Sequence, residues 1–60
     1  MTYRVLKNGR CVRKYKDAEQ AIGHVADATG KDREFIAEET RGGWPIVQDD
    51  GDQAEWRIES

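Results

Sequence analysis

Asn8-Gly9 constrains the first third of this chain more than any other feature in it. Asn and Gly tolerate positive φ, and between two alternating runs that pair is the strongest short-range signal for a β-hairpin. The flanking runs are residues 2–7 and 10–15. A two-residue turn pairs Val5 with Val12 and Leu6 with Cys11. A three-residue loop, Lys7-Asn8-Gly9 with Gly9 left-handed, instead pairs Val5 with Cys11 and Tyr3 with Arg13. One residue of slip moves a whole strand's side chains to the other face, so the register decides what becomes core. The second register gathers Tyr3, Val5, Cys11 and Tyr15 on one face and leaves Arg4, Leu6, Arg10, Val12 and Lys14 on the other. That is the expected arrangement.

Beyond the hairpin the period changes from two to nearly four. Ala18, Ala21, Ile22, Val25 and Ala28 follow the spacing of one helix face. Asp17 is placed to cap this helix, with Gln20 completing a capping-box variant, and Gly30 to end it. Gly23 lies inside the helix at a cost of about 1 kcal/mol relative to Ala, and suits a place where another backbone packs closely. Residues 32–41 are mostly good helix formers, with Asp32 as cap, Glu34 in the first turn, Arg41 in the last and Gly42 as terminator. Only Phe35, Ile36 and Ala37 are apolar there, so a short strand is the competing assignment.

The last third alternates again. Ala54, Trp56 and Ile58 interleave with Gln53, Glu55, Arg57 and Glu59, a half-buried strand pattern. Asp49-Asp50-Gly51 is the expected turn, and a three-residue loop there pairs Ile46 with Ala54 and Trp44 with Trp56. This register places Trp44, Ile46, Ala54, Trp56 and Ile58 on one side, which apolar burial favours by several kcal/mol. Pro45 fits an edge strand or a bulge. The expected fold is therefore α+β: a single small domain over residues 1–60, ordered hairpin, helix, short helix, hairpin, with the helices covering one face of an antiparallel sheet. A chain of this length buries roughly 60% of the surface its unfolded form exposes, so the core is small.

Catalysis is the class this chain suits least, and no enzyme activity is expected. Cys11 falls on a strand and His24 at the boundary of a helix face, with Asp27 one turn on as its hydrogen-bond partner, and no third group orients a thiol–imidazole pair. The paired carboxylates Glu38-Glu39 and Asp49-Asp50 have no cleft to separate their pKa values. Gly42-Gly43 lacks the Lys and Ser/Thr of a phosphate loop. Aligning Gly51 with the invariant glycine of a calcium loop puts Ile46 and Arg57 where carboxylates belong. One Cys and one His make a poor zinc set, and no cofactor or metal is expected. No apolar run reaches the length of a membrane span and no signal peptide opens the chain, so the expected location is the cytoplasm.

Binding remains, and the charge layout gives it direction. Residues 1–16 hold Arg4, Lys7, Arg10, Arg13, Lys14 and Lys16 with no acid, +6; residues 17–60 hold four bases against twelve acids, −8; together they give the formal net charge of −2. Two candidate surfaces follow. The acidic one is Glu34, Glu38 and Glu39 on the second helix with Asp49, Asp50 and Asp52 at the hairpin tip, suited to a protein partner, including one whose own groove holds DNA or RNA. The basic one is the N-terminal hairpin, where Arg4, Lys7, Arg10, Arg13, Lys14 and Lys16 surround Leu6 and Val12, suited to nucleic-acid phosphates. The first is the leading expectation: a small modulator or inhibitor acting through another protein, of the kind a phage or mobile element encodes. Direct nucleic-acid binding is the alternative. A homodimer joining the basic hairpin to the acidic helix of its mate is the third.

The order hairpin, Tyr15-x-Asp17, alanine-rich helix, Thr29-Gly30, Ile36, Gly42 and Trp56 resembles the small helix-turn-helix modules found beside intron-encoded endonucleases. That resemblance implies DNA contact by the second helix. The segment departs from the pattern in carrying four acids, Asp32, Glu34, Glu38 and Glu39, against Arg33 and Arg41, and its first helix is one turn longer.

Overall fold

A computed structural model describes residues 2–48 and 53–60. The chain runs β1 (Tyr3–Lys7), β2 (Arg10–Tyr15), α1 (Ala18–Thr29), α2 (Arg33–Gly42), β3 (Ile46–Gln48) and β4 (Ala54–Glu59). The four strands form one antiparallel sheet in the order β2-β1-β4-β3, so the N- and C-terminal strands pair at its centre. Both helices lie on one side. The fully buried Val5, Val25, Ile36 and Ile46 meet there with Ala21, Ala26, Ala54 and Trp56. Burying each larger side chain contributes about 1.5–3 kcal/mol.

The first hairpin differs from its expected register in a way that satisfies two competing demands. Asn8 and Gly9 have φ of 53° and 83°, so the turn has two residues and Leu6 pairs with Cys11. Continued unchanged, that register would set Val5 against Val12 and split Tyr3 and Val5 from Tyr15. Instead the register shifts between Val5 and Leu6, Val12 is left without a partner, and Val5 faces Arg13 while Tyr3 faces Tyr15. The bulge keeps the turn that Asn-Gly prefers and returns Tyr3, Val5 and Tyr15 to the helix-covered side. Two expected positions move as a result. Cys11 is exposed, paired with Leu6 on the uncovered face, and Arg10 pairs with Lys7 on the covered side.

Helix α1 ends as its sequence indicates. Gly30 adopts φ 73° and its N–H reaches the Ala26 carbonyl, a left-handed cap. Asp17 sits at the N-cap with extended backbone, but its side chain makes no capping hydrogen bond, so the expected box with Gln20 does not form. The buried face of α1 is Ala21, Gly23, Val25 and Ala26, while Ala28 is exposed. Helix α2 is a helix rather than a strand, and it extends one residue past expectation. Gly43, not Gly42, takes the left-handed position at φ 79°. Its N–H bonds the Thr40 carbonyl, and the Trp44 N–H bonds the Glu39 carbonyl at 2.9 Å, the paired hydrogen bonds of a Schellman ending.

That ending overturns the expected register of the second hairpin. With its N–H committed to α2, Trp44 lies outside the strand and is 66% exposed. Strand β3 pairs Ile46 with Trp56, Val47 with Glu55 and Gln48 with Ala54, and the Gln48 side-chain oxygen accepts from the Trp56 indole N–H at 3.1 Å. Ile46, Ala54, Trp56 and Ile58 still share the covered side, as the alternation implied. The expected turn at Asp49-Asp50-Gly51 lies outside the described residues.

Candidate functional site

The strand order converts the charge pattern of the sequence into a spatial one. Strand β2, with Arg10, Arg13 and Lys14, forms one edge of the sheet, and β3, which packs against α2, forms the other. The cations of the first hairpin do not share one face. Arg4 pairs across the strands with Glu59 at 3.2 Å, and Arg57 pairs along β4 with Glu55 at 3.5 Å, so the uncovered face alternates in sign. The Lys7 ammonium lies 5.5 Å from the centre of the Trp56 ring on the covered side. The Arg13 guanidinium lies 5.5 Å from the Tyr15 ring. Arg10, Lys14 and Lys16 are exposed, and among the described residues none of these three is ion-paired. What the sequence offered as a basic face is a basic edge.

The acidic residues are more coherent. Glu34 and Glu38 are exposed on α2 one turn apart and Glu39 is half-buried beside them. Asp49, Asp50 and Asp52 lie outside the described residues. The same helix face carries two large side chains that composition did not single out. Phe35 is 42% exposed, with the Lys31 ammonium 5.3 Å from its ring. Gly42 stands two turns further along the same line, about 10 Å away by helix rise. A Cβ built on Gly42 would meet Trp44 Cδ1 at 2.8 Å and Nε1 at 3.3 Å, so the indole occupies the space the glycine leaves open. Phe35, the glutamates and Trp44 thus form one stripe: an aromatic at each end, carboxylates between. Gly42-Gly43 was the available signal for Trp44, because a terminator at Gly43 makes the next residue part of the helix ending rather than of a strand.

A shallow groove of about 680 Å³ separates the start of α2 from α1, lined by Tyr15, Gln20, Gly23, His24, Asp27 and Arg33 among others. The Tyr15 hydroxyl and His24 Nδ1 are hydrogen-bonded at 2.7 Å, so the tyrosine, not Asp27, is the partner of this imidazole. His24 also lies 5.9 Å, ring to ring, from Trp56. The Arg33 guanidinium rests on Gly23, 3.3 Å from where a Cβ would be. Cys11 and His24 lie on opposite sides of the sheet and form no pair. Among the described residues no three His, Cys, Asp or Glu side chains gather to hold a metal ion. No helix of the described residues is long and apolar enough to cross a membrane. No family model, curated protein or solved structure matches the chain.

Proposed function

We propose that this protein works by docking the exposed face of α2 onto a basic surface of another protein, as a modulator or inhibitor without catalytic chemistry of its own. The observation that carries this reading is Trp44, two-thirds exposed and laid against Gly42 in line with Phe35, Glu34, Glu38 and Glu39. Exposed tryptophan is costly in water, and aromatic anchors set among charges are the composition of interface hot spots. The carboxylates define the partner's chemistry. A Lys/Arg-rich surface with an apolar recess answers both parts of the stripe, and a groove that normally holds a nucleic-acid backbone is one such surface. The helix-turn-helix resemblance points the other way, and the acids on this same face oppose its approach to phosphate.

A photo-crosslinking residue at position 35 tests the proposal in extracts of cells that carry the gene. The expected result is a discrete adduct that Trp44→Ala and Glu38→Lys/Glu39→Lys each reduce at least tenfold, and that Arg10→Glu/Lys14→Glu leaves intact. No adduct, or one indifferent to the α2 substitutions, would overturn the reading.

A further inference from the structure

We infer that the β2 edge is a second, separate binding surface, one that tracks the phosphate backbone of double-stranded DNA without reading its sequence. Strand β2 pairs only with β1, and its other edge is free among the described residues. Along that edge Arg10, Cys11, Val12, Arg13 and Lys14 are all exposed, and Lys16 follows. The bulge distributes the cations to both sides of the strand, with Arg10 and Arg13 on the helix-covered side and Lys14 opposite Arg4 on the other. They form a positive ridge rather than a flat patch. Arg4 is already neutralised by Glu59 and Lys7 lies over Trp56, so neither joins it.

The chemistry of the ridge separates its occupant from that of α2. A protein interface needs buried anchors, and β2 offers only Val12, 44% exposed, and no free aromatic. Phosphate contact needs none, because counterion release supplies its free energy. A single strand would need rings on which to stack its bases. Tyr15 is half-buried, bonded to His24 and covered by Arg13, so stacking is not available there. The acids do not cancel the ridge. On the sheet Glu59 is paired with Arg4 and Glu55 with Arg57, so neither carboxylate is left to offset Arg10, Arg13 and Lys14.

Fluorescence anisotropy with a labelled duplex of about 20 base pairs, at about 50 and about 150 mM salt, tests the inference. The expected result is saturable binding whose log–log salt slope is about −3, from roughly three neutralised phosphates. Arg10→Glu/Lys14→Glu should weaken it at least tenfold and flatten the slope, and Arg10→Ala/Lys14→Ala should do so less. Both pairs are solvent-exposed, and circular dichroism verifies that each variant keeps its fold. Glu38→Lys/Glu39→Lys, which tests the α2 face, should not weaken duplex binding, so the two surfaces fail independently. Four results would overturn the inference: no binding at low salt, variants that bind like the parent, tighter binding to oligo-dT than to duplex, or displacement of duplex by polyglutamate at equal charge, which would assign the edge to acidic proteins.

Discussion

Asn8 acts on both sides of its own turn. Its backbone holds φ 53°, which a β-carbon tolerates poorly in most residue types, and its N–H bonds the Glu55 carbonyl at 2.8 Å. The side-chain oxygen then accepts from the Glu55 N–H at 2.9 Å, extending the β1–β4 pairing by one position beyond Lys7. Two substitutions separate these effects. Asn8→Gly keeps the conformation and loses the side-chain bond, an expected cost of about 1 kcal/mol. Asn8→Ala adds the left-handed strain, for about 2 kcal/mol in all. Urea unfolding of both variants checks the order, and equal losses would show that the backbone conformation carries no cost. At Gly42 it is the missing β-carbon that is used. Its helical backbone accepts Ala, and the propensity gain of about 1 kcal/mol opposes displacement of the Trp44 ring. Gly42→Ala is therefore expected to stay within about 1 kcal/mol of the parent while Trp44 becomes more accessible to acrylamide quenching. Unchanged quenching would show that the ring does not rest there.

Of the two helices, α2 is the less committed to the core. Ile36 is its one fully buried side chain among the described residues, and the Thr40 hydroxyl is buried without a hydrogen-bond partner. An unpaired buried hydroxyl costs about 1–3 kcal/mol, so Thr40→Val is expected to stabilise the protein by about 1 kcal/mol, read as a rise in the urea midpoint. A loss instead would mean that the hydroxyl is satisfied in solution. Gly23 on α1 makes the complementary case. The atom nearest a new β-carbon is the far end of the flexible Arg33 side chain, which can yield, so Gly23→Ala is expected to stabilise by roughly 0.5–1 kcal/mol. Elements are also where sequence reading succeeds and fails most clearly. Asn8-Gly9, Gly30 and the helical spacing of α1 act through neighbours a few residues apart, and those features are legible. The bulge at Val12 was not, because it arises only when turn preference and face preference conflict over several residue pairs. The central β1–β4 pairing joins chain ends with no local sequence signature. The same divide runs through the site. The acids of α2 are readable from composition, whereas Trp44 satisfied a strand alternation as well as it satisfied a helix ending, and hydrogen bonding to Glu39 decided between them.

Taken whole, the molecule uses its two tryptophans for opposite purposes, and this gives the sharpest stability test. Trp56 is 5% exposed, sits on the central strand β4, packs under α1 and bonds Gln48. Trp44 is 66% exposed at the end of α2. Truncating a buried tryptophan costs about 3–5 kcal/mol, and a domain of this size has roughly 3–9 kcal/mol in total. Trp56→Ala is therefore expected to unfold much of the population at room temperature, lost as far-UV dichroism and recovered in part by Trp56→Phe. Trp44→Ala removes a ring that solvent already surrounds, so its expected cost is below about 1 kcal/mol despite the same change in composition. A core built around both tryptophans, as strand alternation alone would have it, requires comparable losses from the two substitutions. A small loss at Trp44 together with a large one at Trp56 would mean that the indole is held at the surface at the expense of apolar burial. An indole held at the surface of a domain with so small a core is the anchor that the proposed docking of α2 onto a partner would use.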